Sequence, residues 1–335
     1  MSVLEIQRIY TPSFSQRFRA HIAIARLDRS INNIFVVPGI LIPLATMAGG
    51  PDRQIIVRLA WAAIAVTLVA CSNYVLNEMR DAPVDRLHPV KRNRPAALGL
   101  VIPWVAYTQW LVMMVAGIGV GLLVSPRFAL TALALWVMGC AYNLPLARTR
   151  DIPYLDVLTK SINNPLRVLL GWYAVTSVLV PPISLLLFCW MISCYFVSLR
   201  RFSEFSEIRS GKITGGYRGS FRHSSPETLL ASAVFYASTA MLFLGSFIVA
   251  YRIELILAFP LVAFTMAIFC KLPLQASFIG QQPVKPYRQP LLMASLSATA
   301  LVLAVFLFVR VPLLERFISP ALAQSPANSP GLRIN

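Results

Sequence analysis

The strongest constraint on this chain is a series of apolar stretches, each long enough to cross a bilayer core as a helix of about 20 residues. They fall at about 31–49, 55–77, 100–123, 127–146, 155–178, 180–198, 229–251, 253–270 and 289–310. In hydrocarbon every backbone N–H and C=O must find its partner within the protein, and a helix does so segment by segment. The expected fold is therefore all-α, a polytopic membrane bundle of about nine transmembrane helices. With 57% of 335 residues hydrophobic and 13% charged, the composition excludes an ordinary soluble domain. The expected division is an N-terminal segment over 1–30, a transmembrane domain over 31–310 and a tail over 311–335. Residues 1–30 are basic and polar, without the apolar core of a signal peptide. The tail, with Pro320, Pro326 and Pro330, is expected to be disordered.

The charge is lopsided, 30 Lys and Arg against 13 Asp and Glu, for a net charge of +17. Most of the positive charge lies on the N-terminal segment and on alternate, longer loops, while the other set of loops is very short. The positive-inside rule then puts the N-terminus and the long loops in the cytoplasm and the tail outside. Because the cations are spread over loops between spans, nucleic acid is not an expected partner. Anionic membrane lipids and phosphorylated substrates are. Cys71, Cys140, Cys189, Cys194 and Cys270 lie singly in apolar surroundings without zinc-ligand spacing, so they read as small buried hydrophobes.

One hydrophilic stretch stands out between two spans, from Asn77 to Pro95. Asn77, Asp81 and Asp85 are spaced i, i+4 and i+8, a drift of only about 40° per step on a helix, so they share a face. Carboxylates stacked this way repel one another unless a cation sits between them. A hard, all-oxygen donor set suits Mg2+, which is commonly completed by substrate phosphates. Arg86, His88, Lys91, Arg92 and Arg94 follow, a basic run able to grip phosphate oxygens. The alternative for the same residues is a solvated loop whose arginines only set topology. Pro83 is expected to interrupt the helix and put Asp85 on a kinked or unwound turn.

A second polar set opens the span at 155–178. Arg148, Arg150 and Asp151 precede Asp156, Lys160, Ser161, Asn163, Asn164 and Arg167. Residues 156, 160, 163, 164 and 167 follow helical spacing, so an ionisable stripe runs into the membrane, where such groups face a bundle interior or a watered cavity. Snorkelling at a helix end explains Lys160 but explains Asn163, Asn164 and Arg167, deeper in the span, poorly. The third set lies on the loop after 198 and includes Arg201, Glu204, Tyr217 and Arg218. It is expected to be either a lid over an anionic substrate or a lipid-facing basic loop. His88 and His223 have no partner at ligand spacing and suit phosphate contacts better than metal.

With these motifs in hand, the chain resembles the UbiA superfamily of intramembrane prenyltransferases. The Asn-Asp-x-x-Asp-x-x-x-Asp motif of that family matches Asn77, Asp81 and Asp85, with Glu78 at the usual Asp position. Tyr142, Arg148, Arg150 and Asp156 match its second motif more loosely. The run Asp85-Arg86-x-His88-Pro89-x-Lys91-Arg92-x-Arg94-Pro95 is similar to the decaprenyl-phosphate phosphoribosyltransferase branch, as are Arg201, Glu204, Tyr217 and Arg218. That branch includes nodulation proteins linked to arabinose decoration of signalling molecules. Where its members carry Trp-x-Lys-Asn at the start of the first helix, this chain reads Ile31-Asn32-Asn33.

The resemblance implies a Mg2+-dependent transferase with phosphoribosyl diphosphate as donor and a polyprenyl phosphate as acceptor. Asn77, Asp81 and Asp85 would hold the metal, with Asp81, Asp85 and Asp156 as the catalytic carboxylates. Arg86, His88, Lys91, Arg92, Arg94, Tyr142, Arg148, Arg150, Lys160, Asn164, Arg167, Arg201, Glu204, Tyr217 and Arg218 would bind substrate. Two alternatives remain for the sequence: an aromatic prenyltransferase using a polyprenyl diphosphate, and a membrane transporter without enzymatic activity. Against transport, the carboxylates lie on loops rather than at the midplane.

Overall fold

A computed structural model of the chain describes residues 12–47, 53–87, 91–144, 149–209, 225–279, 289–312 and 314, and every regular element in them is helical. Eleven α-helices follow in order: α1 (Phe14–Ile24), α2 (Val36–Thr46), α3 (Arg53–Asp85), α4 (Pro103–Val124), α5 (Pro126–Asn143), α6 (Leu155–Ser161), α7 (Asn163–Val175), α8 (Ile183–Arg209), α9 (Pro226–Tyr251), α10 (Phe259–Ile279) and α11 (Pro290–Phe308). Among the described residues six helices are long and apolar enough to cross a membrane, or seven if the bent stretch from Phe14 to Thr46 is one span. Each of the nine apolar stretches is largely helical over its described residues, but three do not form a full uninterrupted span. The stretch expected at 31–49 gives the end of a 3-10 turn, Leu27–Phe35, followed by the 11-residue α2. The stretch expected at 127–146 is an 18-residue helix, and the one at 155–178 is broken at Ile162 between α6 and α7. Pro165 explains the break, since its ring clashes with the carbonyl of Ser161 and it donates no hydrogen bond there.

Helix ends are set by local chemistry. Ser125 ends α4 and caps α5, its hydroxyl accepting from the Phe128 N–H, with Pro126 at the first helical position. Ser225 and Thr228 cap α9 reciprocally. The kink expected at Pro83 is absent: α3 runs unbroken to Asp85. Pro83 sits in the last turn and is exposed, so a single lost hydrogen bond is all it costs, and the Arg86 N–H still bonds the Ala82 carbonyl at 3.2 Å.

Three apolar clusters hold the bundle. One joins α7, α8, α9 and α10 around Val168, Trp172, Leu199, Tyr236 and Leu244. Another joins α3, α5 and α7 through Ala65, Val69, Phe128, Leu135 and Leu170. A third seats α1 on α3 and α4 through Ala20, Ile24, Cys71, Val75 and Ala106, so part of the N-terminal segment belongs to the bundle. Four cysteines are buried, Cys270 is half-buried, and all five are free thiols. The outer surface keeps Trp104, Leu122, Leu242, Val249 and Leu301 exposed, as a lipid-facing surface does.

Helices α2 and α7 approach closely at two glycines. A Cβ on Gly39 would stand 1.9 Å from the carbonyl oxygen of Val168, and one on Gly171 would stand 2.1 Å from that of Val36. Only the absence of side chains there lets the two backbones touch.

Candidate active site

Short links at 125 and 176–182 turn the chain back at one end of the bundle, so the last turns of α3, α5 and α8 and the start of α6 meet at the other end. Those four ends carry the first acidic motif, Tyr142 and Asn143, Arg201 and Glu204, and Asp156 respectively.

On α3 the acidic motif is one helical face. Asp85 is 1% exposed, and the Arg94 Nη1 donates to its Oδ2 at 2.6 Å. Arg94 reaches back because a 3-10 turn over Lys91–Asn93 reverses the chain, and Arg86 fastens that loop by donating to the Ala97 carbonyl at 3.0 Å. Asp81 is half-buried, Lys91 is half-buried and Arg92 is exposed. Glu78 is buried with the Arg26 guanidinium 3.7 Å away, and Arg26 itself occupies the left-handed region with φ 53° where the chain leaves α1. Asn77 donates its Nδ2 to the Oδ1 of Asn143 at 2.8 Å, while Asn143 donates in turn to the Gly139 carbonyl at 2.8 Å. Both amides are thereby oriented, with the Asn77 nitrogen used as donor and its Oδ1 kept as an acceptor.

The second group centres on Asp156, which is 2% exposed. Arg201, 4% exposed, donates from Nε to Asp156 Oδ2 at 2.5 Å and from Nη2 to Oδ1 at 3.1 Å, a bidentate buried pair. Tyr142 donates to Asp156 Oδ1 at 2.9 Å and accepts from Arg201 Nη2 at 3.1 Å, and Glu204 accepts from Arg201 Nη1 at 2.8 Å. The Lys160 ammonium stands 5.1 Å over the Tyr142 ring. Because Tyr142 and Asn143 are adjacent at the end of α5, they tie the Asp156 group and the α3 face to one support.

Deeper on α7, the Arg167 Nε donates to Asn33 Oδ1 at 3.2 Å, and its Nη1 to Asn164 Oδ1 at 3.3 Å and to the Asn163 carbonyl at 3.3 Å. Asn164 is itself anchored by donating to Ser193 Oγ at 2.8 Å. The structure thus gathers Asn77, Asp81, Asp85, Arg86 and Arg94 at one end of α3, and Tyr142, Asp156, Lys160, Arg201 and Glu204 beside them. Arg150 lies in the 3-10 turn Thr149–Asp151. His88, Arg148, Tyr217 and Arg218 lie outside the described residues, as does His223. Sequence reasoning missed Asn143, Arg26 and the Asn33–Arg167 contact. A lone amide at the end of an apolar segment was the available signal for Asn143.

Residues 35–296 match the UbiA prenyltransferase family. The chain belongs to this family. Solved structures with the UbiA fold agree: a UbiA homolog from Archaeoglobus fulgidus bound to DMAPP and Mg2+ aligns with a TM-score of 0.61 at 17% identity, over 85% of this chain and 97% of that one. A digeranylgeranylglyceryl phosphate synthase aligns with a TM-score of 0.63 at 15% identity, over 88% and 99%. Among curated relatives, a decaprenyl-phosphate phosphoribosyltransferase from Mycobacterium tuberculosis is 32% identical over 115 residues, 33% of this chain and 37% of that protein. This chain therefore spans little more than a third of that relative's length. The nodulation protein NoeC from Azorhizobium caulinodans is 27% identical over 215 residues, 63% of this chain and 67% of NoeC. As a UbiA-family member with six or seven apolar helical spans among its described residues, the chain is a multi-pass integral membrane protein.

Proposed function

We propose that this UbiA-family enzyme transfers the 5-phosphoribosyl group of phosphoribosyl diphosphate to a polyprenyl phosphate, on the cytoplasmic side of the cell membrane. The observation that carries the proposal is the convergence of the acidic face of α3 with its basic loop, through the 2.6 Å contact between Arg94 and Asp85. Support comes also from the relatives named decaprenyl-phosphate phosphoribosyltransferase. The cytoplasmic placement rests on the positive charge of that end, where Arg86, Lys91, Arg92 and Arg94 cluster.

The donor set fits Mg2+. Among the described residues no group of three His, Cys, Asp or Glu could hold a metal ion, but the α3 face offers Asp81, Asp85 and the oriented Asn77 oxygen. Such a partial set of hard oxygens suits an ion completed by the donor's diphosphate. When bound, the ion supplies positive charge against the leaving diphosphate. In the transfer, an oxygen of the acceptor phosphate bonds to C1 of the ribose while the bond from C1 to the diphosphate oxygen breaks, releasing diphosphate. The acceptor is already anionic at neutral pH, so no general base is required. Arg94 and the half-buried Lys91 place cationic charge where the leaving group departs. The Asp156–Arg201–Tyr142–Glu204 group holds its geometry through its own hydrogen bonds, and Asp156 suits a ribose-hydroxyl or metal contact better than a base. The product is a lipid-linked precursor for arabinose donors.

The test is an isotope transfer. Labelled phosphoribosyl diphosphate with polyprenyl phosphate and Mg2+ should yield a lipid-extractable labelled product. Label moving instead from a polyprenyl diphosphate onto an aromatic acceptor would overturn the donor assignment, and transfer in neither assay would overturn both.

A further inference from the structure

We propose, on the basis of the reaction above, that the Arg167 guanidinium seats the phosphate of the lipid acceptor. Arg167 is 9% exposed and lies on α7, in the interior of the bundle. An arginine stays protonated in a protein, and a buried charge is costly unless an opposite charge or a dense set of hydrogen bonds compensates it. Each hydrogen-bond acceptor of Arg167 is a neutral oxygen, on the side chains of Asn33 and Asn164 and the backbone of Asn163, with the Tyr74 phenol nearby. Among the described residues no carboxylate forms an ion pair with it, and its Nη2 has no acceptor. The contrast with the other buried arginine of the site is sharp, since Arg201 is matched by both Asp156 and Glu204. Amide dipoles orient the Arg167 fork and leave its net charge in place. An anion completes the site.

The ligand chemistry is that of a phosphate monoester. A guanidinium presents paired, coplanar donors that match phosphate oxygens, and Asn33 and Asn164 hold two of its nitrogens and leave the third to donate to a ligand. Asn164 is held in turn by Ser193, whose hydroxyl donates to the Cys189 carbonyl at 2.6 Å, so the cradle is fixed before a ligand arrives. Bonding to the Asn163 carbonyl turns the guanidinium back toward the start of α7, the side on which Lys160 and Asp156 lie. Two substrates of the proposed reaction carry a phosphate monoester, the prenyl phosphate and the 5-phosphate of the donor. The position of Arg167 within a membrane helix bundle selects the one with an apolar tail.

Binding to the full-length, detergent-solubilised protein tests this without turnover. Farnesyl phosphate, farnesol and ribose 5-phosphate serve as probes, read by calorimetry and thermal shift. Wild type should bind farnesyl phosphate and be stabilised by it, and farnesol should give no comparable shift. Arg167→Gln should weaken farnesyl phosphate binding by roughly ten- to a hundredfold, the scale of hydrogen bonds to a charged group, and leave ribose 5-phosphate unaffected. Asn33→Asp is the second variant and does not depend on Arg167→Gln folding. It places an internal carboxylate where an amide oxygen now accepts at 3.2 Å, so the protein should melt higher and bind farnesyl phosphate at least tenfold more weakly, by roughly the same scale. Unchanged farnesyl phosphate binding in either variant, equal binding of farnesol, or selective loss of ribose 5-phosphate binding would overturn the assignment. Failure of the isotope-transfer assay would leave these binding results standing, so the two proposals fail separately.

Discussion

Replacing Gly171 by alanine drives a methyl group into the carbonyl of Val36, 2.1 Å away where Cβ atoms essentially never come closer than 3.0 Å. The neighbour is backbone and cannot rotate aside, so α2 and α7 must part by about an ångström, a small-to-large change of the kind that costs up to about 3 kcal/mol. Alanine is a better helix former than glycine by about 0.5–1 kcal/mol, which offsets part of that cost. The expected net loss is about 2 kcal/mol, combining that clash and that gain. Gly245→Ala is the internal control, because no heavy atom lies within 4 Å of its added Cβ. It should be neutral or stabilising by about 0.5–1 kcal/mol. Unfolding in mixed detergent–SDS micelles, followed by circular dichroism, measures both. Gly171→Ala also lies one turn beyond Arg167, so separation of the helices should loosen the Asn33 contact and weaken farnesyl phosphate binding. A Gly171→Ala protein as stable as wild type, beside a Gly245→Ala protein with its small gain, would refute the close crossing.

Chelation by EDTA should abolish isotope transfer and added Mg2+ restore it, and Asp81→Asn and Asp85→Asn should each lose about 2–4 kcal/mol of transition-state stabilisation in kcat/KM. Asn143→Leu releases the Asn77 amide from its orientation. It should weaken the divalent-ion affinity of the purified protein roughly ten- to a hundredfold, measured with Mn2+ by electron paramagnetic resonance, as loss of a ligand-orienting partner does. Arg201→Gln and Asp156→Asn should be strongly non-additive in unfolding free energy, with a coupling of about 2–3 kcal/mol, since each removes the same bidentate contact. Additive losses would mean that the pair is not formed.

Much of the helical scaffold was legible because the bilayer leaves so few alternatives. The apolar stretches predict α4, α9 and α11 closely, since no charged residue interrupts them. The face shared by Asn77, Asp81 and Asp85 was legible for the same periodic reason. The unbroken end of α3 was not, because the effect of Pro83 depends on how near it stands to the helix terminus. At 155–178 the stripe from Asp156 to Arg167 was read as one helix, and Pro165 divides it. Partners were illegible throughout. Arg94 with Asp85, Arg26 with Glu78 and Asn33 with Arg167 are brought together by turns and crossings, and Asn33 and Arg167 are 134 positions apart in the chain. Spacing along one helix carries no information about what another helix presents to it.

The 33 residues of α3 make a single rod about 50 Å long at 1.5 Å per residue, well beyond the roughly 30 Å of a hydrocarbon core. Arg53 starts it and Asp85 ends it, so a rod of this length outreaches the core. The height at which the acidic face stands above the lipid is therefore a matter of membrane thickness and helix tilt. In a thicker bilayer Asp81 and Asp85 are drawn toward the acyl chains; in a thinner one they are lifted toward water, away from the depth at which a lipid phosphate floats. For the proposed reaction, acyl-chain length then sets the gap between a water-borne donor and a lipid-borne acceptor, and a series of bilayers graded in thickness should show an optimum on either side of which turnover falls.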